Sequence, residues 1–100
     1  MSEFAVADHP QLSRYEIRLD GEVAGFVRYL RRPDRLDLVH TGVEPRYEGR
    51  GLAARLVAGV LDDVRAKGEH VVASCPYVAA YLKKHPEQAD LLAGCAGQAG

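Results

Sequence analysis

The chain has 100 residues, 47% of them hydrophobic and 27% charged, with a formal net charge of -1. That length suits one small domain, and a charge so near zero gives no general attraction to nucleic acid. No apolar run approaches the roughly 20 residues of a membrane span and no apolar leader opens the chain, while two cysteines, Cys75 and Cys95, make neither a disulfide framework nor a metal knuckle; a reducing, cytoplasmic setting is expected.

Residues 1–13 show no clean period and read as a lead-in. From Arg14 to Leu19 the chain alternates, with Tyr15, Ile17 and Leu19 on one face and Arg14, Glu16 and Arg18 on the other, which predicts a half-buried strand. Asp20-Gly21 is a tight hairpin signal, and Val23 to Leu30 is the return strand. Arg32-Pro33-Asp34-Arg35 marks a second turn, and Leu36 to Val43 a third strand. The period then changes. Leu52, Leu56, Val57, Val60, Leu61 and Val64 recur at helical spacing between Gly51 and Lys67, and Gly68 suits the helix end. His70 to Ser74 is a short strand, predicted to lie parallel to the third through a right-handed crossover. A second helix is predicted over Pro76–Lys84, with proline at the tolerated first position, and one short turn over 88–93. The order β-β-β-α-β-α is α+β: a mostly antiparallel sheet with one parallel pair. The whole chain, 1–100, reads as one domain with an ordered core over about 14–92 and a Gly/Ala-rich tail over 93–100 expected to fray.

The stretch His40 to Val57 carries the most chemistry. A strand stops at Glu44-Pro45, and Glu48-Gly49-Arg50-Gly51 opens directly into the first helix. The first amides of a helix have no internal partner, and the dipole adds partial positive charge there, so this arrangement suits a phosphorylated ligand. An ordinary strand–loop–helix connection with two turn glycines has the same spacing.

The pattern resembles the GNAT superfamily of acyl-CoA-dependent N-acetyltransferases, in particular its small single-domain members. Two pieces carry the resemblance: YEGRGLAARLV (Tyr47 to Val57), similar to the coenzyme A loop, and CPYVAAYLKKHPEQADLL (Cys75 to Leu92), similar to a C-terminal signature of the minimal subfamily. The resemblance implies a truncated GNAT fold, acetyl-CoA as donor and an amine as acceptor. It places the pyrophosphate on the amides of Gly49, Arg50, Gly51, Leu52 and Ala53, with Arg46 and Arg50 adding charge-assisted contacts. It lays the pantetheine arm along the strand edge at Thr41, Gly42 and Val43. The loop departs from the family pattern at Glu48, where Arg or Gln is usual; pairing with Arg46 or Arg50 is one way to keep that carboxylate from the phosphates. Larger members carry helices between their first two strands, for which Asp20-Gly21 stands here, so the acceptor side is expected to be open or completed by a partner.

The thioester then falls near His40 and Cys75. Cys75 starts a helix, where a thiol pKa is lowered, so it is a candidate acyl-accepting nucleophile; a small buried core residue is the plain alternative. His40 is a candidate base for that thiol or for an incoming amine, or a hydrogen-bonded core histidine. Tyr81 corresponds to the tyrosine that protonates the departing thiolate in larger members, although Tyr77 and Tyr81, four apart, also suit core packing. Lys83 and Lys84 fit either the helix dipole or the coenzyme's phosphates. His9, His70 and His85 have no metal-ligand spacing. The leading expectation is an acetyl-CoA-dependent N-acetyltransferase, monomer or homodimer, with no nucleic-acid or membrane partner. A coenzyme A-binding module with little catalysis, and an interaction domain that binds no nucleotide, are the alternatives.

Overall fold

The alternating segments become strands, and one more joins them. The computed structural model describes residues 4–93. Its strands are β1 (Phe4–His9), β2 (Arg14–Leu19), β3 (Glu22–Arg31), β4 (Arg35–Val43) and β5 (His70–Ala73); its helices are α1 (Leu52–Ala66) and α2 (Pro76–Lys84). The five strands form one sheet in the order β1-β2-β3-β4-β5, with only β4 and β5 parallel. The fold is therefore the α+β arrangement expected, with an additional strand at its start.

That strand corrects the reading of residues 1–13 as a lead-in and of the ordered core as starting near residue 14. β1 pairs with β2 along its whole length. Phe4 and Val6 point toward the core, while Ala5 and Ala7 point out. Outward alanines give no apolar/polar contrast, so the period of two is hidden. Gly59 of α1 makes room for this strand, since a Cβ there would sit 2.8 Å from the Val6 side chain. The connection between the first two strands is accordingly the 3-10 turn Pro10–Leu12, and Asp20-Gly21 joins the second to the third. Asp20 and Gly21 have φ of 51° and 88°, as the inverse turn of a two-residue hairpin requires. At the other end, Leu92 bridges to Val71, and the Ala93 amide donates to the Val71 carbonyl at 2.7 Å. Cys95 and the rest of the predicted tail, 94–100, lie outside the described residues.

Both helices contribute to one core on a single face of the sheet. The apolar stripe Leu52, Leu56, Val57, Val60, Leu61 and Val64 of α1 is buried against Tyr15, Ile17, Val27, Tyr29, Leu36 and Leu38. Val78 and Leu82 of α2 close the same core beside β4 and β5. The buried tyrosines keep their hydroxyls partnered: Tyr15 donates to Asp63 and Tyr29 to Asp8, each at 2.6 Å.

No described helix covers the opposite face, where Arg18, Arg28 and His40 are exposed. Glu16 nevertheless lies buried there, its carboxylate taken by Arg14 at 2.6 Å and Arg18 at 2.9 Å, with His9 at 3.3 Å. Burial alone would raise its pKa, but the hydrogen bonds from Arg18 and Arg14 outweigh this and hold it below the ordinary carboxylate range.

Candidate active site

The glycine loop is built by backbone geometry. After the 3-10 turn Pro45–Tyr47, Gly49 and Gly51 take φ of +83° and +72°, which L residues rarely adopt. Space around both positions is open, so the dihedral and not crowding calls for glycine there. Gly51 caps α1, whose first helical bond runs from the Arg55 amide to the Gly51 carbonyl at 3.2 Å. Among the described residues no backbone carbonyl accepts from the amides of Gly49 to Ala54. No acidic side chain sits in the first turn to offset the helix dipole. The loop thus presents a row of free donors at a positive helix end.

These donors border a cleft of about 280 Å3. One wall is Thr41 and Val43 of β4; the floor is Glu48, Gly49 and the start of α1; Tyr47 and Tyr77 close the sides. The cleft exists because the sheet splays. β5 pairs with β4 only from Arg35 to Leu38. Beyond that the Cys75 amide donates to the Leu38 carbonyl at 2.8 Å and the chain turns away into α2. The outer edge of β4 from Val39 to Val43 therefore has no strand partner among the described residues.

Of the residues expected in the loop, Gly49, Gly51, Leu52 and Ala53 line the cleft with Thr41 and Val43. Gly42 turns to the other face, under the Phe26 ring, where a Cβ would sit 2.8 Å from it. Arg46 is held by Glu22 at 2.7 Å, and both Arg46 and Arg50 lie over the Tyr47 ring, at 5.0 and 5.8 Å. Neither arginine pairs with Glu48, which remains exposed at the cleft edge.

The expected pair of His40 and Cys75 is not brought together. A bulge causes this. His40 pairs with Arg28 and Leu38 with Tyr29, so Val39 is an extra residue in β4. His40 then stacks on Phe26, ring centroids 5.7 Å apart, on the helix-free face. Thr41 points to the core side and meets Cys75, Oγ1 to Sγ 3.3 Å. Cys75 is only 3% exposed. Burial would raise the thiol's pKa; the Thr41 hydroxyl and the Val78 and Tyr77 amides overcome this and lower it.

Tyr81 lies outside the main cleft. It stacks on His85, centroids 4.1 Å apart, beside a smaller cleft of about 150 Å3 that also touches Ala54 and Lys84. Burial raises its hydroxyl pKa, with Glu87, Asp62 and Tyr77 adding to the effect. Lys83 faces a third cleft, with Leu92, so the two lysines diverge and neither borders the glycine loop. Tyr77, read from sequence as an aromatic of the core, is 41% exposed and borders both the main cleft and that of Tyr81. Its place at the start of α2, next to the end of β5, is the signal that marks it.

The GCN5-related N-acetyltransferase family model matches residues 14–91. No curated protein matches the chain. Among solved structures, a GCN5-like protein from Staphylococcus aureus is similar at 22% identity, with a TM-score of 0.66, covering 92% of this chain and 90% of that one. The Escherichia coli ribosomal-protein-S18-alanine N-acetyltransferase is similar at 15% identity, with a TM-score of 0.61, covering 84% of this chain and 76% of that one. Both likenesses concern the fold. With the family model spanning four of the five strands, the glycine loop and both helices, the chain belongs to the GCN5-related N-acetyltransferase family.

Proposed function

We propose that this chain is an acetyl-CoA-dependent N-acetyltransferase acting on an amine. The observation that carries this reading is the row of free amides from Gly49 to Ala54, opening on a cleft walled by the unpaired edge of β4. The residues fit a pyrophosphate: donors without internal partners, a positive helix end and no first-turn carboxylate. The β4 edge at Thr41 to Val43 offers its backbone groups to the amides of the pantetheine arm, as an edge strand does to a peptide. Arg50, with no carboxylate partner among the described residues, is free to turn to the phosphates.

The amine arrives from the other side of the splay, where His40 stands exposed on the helix-free face. His40 takes the proton from the ammonium group. The amine nitrogen bonds to the thioester carbonyl carbon, the carbon–sulfur bond breaks, Tyr77 in the cleft gives its proton to the departing thiolate, and the second proton lost from the nitrogen as the amide forms restores the Tyr77 hydroxyl. Tyr77 takes this role in preference to Tyr81 because it borders the loop cleft. Direct transfer suits a buried Cys75 better than a covalent acetyl-cysteine does.

Acetyl-transfer kinetics with an amine panel test the reading. Tyr77→Phe should lower kcat about 100-fold or more, while Tyr81→Phe and Cys75→Ala keep most of it. Full activity in Tyr77→Phe, or an acetyl adduct on Cys75 in trapping mass spectrometry, would overturn the assignment. A second reading, coenzyme A binding without turnover, is favoured by the short Pro10–Leu12 connection, which leaves the acceptor face open. Tight coenzyme A binding in calorimetry with no transfer to any amine would select it.

A further inference from the structure

The bulge that parts His40 from Cys75 gives it a different neighbour. Residues three apart on a regular strand point to opposite faces. With Val39 as the extra residue, Asp37 and His40 share the helix-free face. Their partners on β3, Leu30 and Arg28, are two residues apart, so the two side chains leave the sheet about 7 Å from one another. Asp37 carries a buried carboxylate oxygen, Oδ1, with no hydrogen-bond partner among the described residues. An orphaned acceptor of this kind asks for an explanation, because leaving one unsatisfied destabilises the fold. Asp37 as a residue borders a cleft of about 470 Å3 whose other walls are the Arg32–Arg35 turn and Val72.

The second element is a guanidinium. Arg28 lies directly across from His40 and diagonally from Asp37, is exposed, and forms no ion pair among the described residues. Its neighbour across the other strand is Arg14, so Arg14, Arg28 and His40 form a row of basic side chains in register over three strands. Like charges set opposite one another cost stability. Glu16 offsets Arg14, and nothing described offsets Arg28. A lone carboxylate, a base and a lone guanidinium thus stand within one cross-strand neighbourhood.

We infer that this neighbourhood recognises a zwitterionic acceptor: a free amino acid whose ammonium group is held between Asp37 and His40 and whose carboxylate is bound by Arg28. The inference rests on the functional reading above and names its substrate class. Asp37, partly exposed, accepts hydrogen bonds from the ammonium through its carboxylate. His40 is placed to take the proton. Arg28 matches a carboxylate with two parallel donors. The cleft beside Asp37 leaves room for the amino acid's side chain.

The test compares each of the twenty L-amino acids with its carboxamide as acceptor, in the wild type and in Arg28→Gln, Asp37→Asn and Arg32→Gln. The best amino acid should exceed its carboxamide in kcat/KM about 10- to 100-fold, the value of one charged hydrogen-bonded contact. Arg28→Gln should erase that ratio by raising KM for the amino acid alone. Asp37→Asn should raise KM for both members of the pair, and Arg32→Gln should leave the ratio intact. Circular dichroism checks that each variant is folded, and Arg28→Lys, which keeps the charge, should restore part of the ratio. Binding is read separately, by amide chemical shifts at Arg28, Asp37 and His40 when the amino acid is added to protein loaded with coenzyme A. Equal use of the carboxamide, a preference for acidic peptides, or loss of the ratio in Arg32→Gln but not Arg28→Gln overturns the inference. If acetyl-CoA itself causes no thermal shift, the functional reading fails with it; if acetyl-CoA binds and the carboxylate makes no difference, only this inference fails.

Discussion

The two faces of the sheet are built by different rules. The covered face is apolar and closed by α1 and α2, and its buried polar groups are paired within the fold, as in Tyr15–Asp63 and Tyr29–Asp8. The helix-free face keeps charges that the described fold does not fully use: among the described residues Arg28 has no ion pair and Asp37 has a free oxygen. The donor cleft belongs to the first kind of construction. It is made from backbone, with two glycines at positive φ and a helix start whose amides are free. The proposed acceptor side belongs to the second kind, made from side chains aimed by a bulge. A fold of this size thus spends its periodic sequence on one face and leaves chemistry on the other.

Stability separates the faces most strongly. Leu56→Ala, in the covered core, should cost about 2–5 kcal/mol in urea unfolding. Leu30→Ala, 49% exposed on the open face, should change stability by no more than about 0.5 kcal/mol. A comparable loss at Leu30 would mean that something covers that face.

Acid should weaken both faces together. Asp63 and Glu16 are each pushed up by burial and pulled further down by their donors, Tyr15 and Lys67 for the first, Arg18 and Arg14 for the second. A lowered folded pKa contributes stability that is fully present above the unfolded value, near pH 4, and is lost as pH falls through the folded value. Melting followed by circular dichroism should therefore give a Tm that is flat near neutrality and falls below about pH 4. In Glu16→Gln and Asp63→Asn the neutral Tm should be lower and the acid slope shallower; an unchanged slope in both would contradict the pairing.

The smallest effect concerns Cys75. At 3% exposure its thiol should react with iodoacetamide far more slowly than a free model thiol, despite its lowered pKa. Thr41→Val should raise that pKa and slow the reaction further. Rapid labelling of native protein would restore the covalent route.

Legibility followed contrast. Tyr15, Ile17 and Leu19 against Arg14, Glu16 and Arg18 mark a strand plainly, and the leucines and valines of α1 mark a helix. The glycine loop was legible because positive φ leaves a residue-type signature at Gly49 and Gly51. Phe4–His9 was not, since alanines fill its outward positions and Asp8 points in toward Tyr29. The bulge at Val39 left no trace either. It needs no glycine or proline, yet it sets which of His40 and Thr41 meets Cys75. Side-chain direction past that residue is fixed by cross-strand register, a property of two strands and not of one.

The separation of donor and acceptor across the sheet is tested most directly by amide chemical-shift mapping on titration with acetyl-CoA. The account predicts that the large shifts fall on Gly49 to Ala54, on Thr41 to Val43 and on Tyr77, with Arg28 and Asp37 moving little until an amino acid is added. Large shifts at Arg28 and Asp37 with acetyl-CoA alone, or none at the glycine loop, would contradict it.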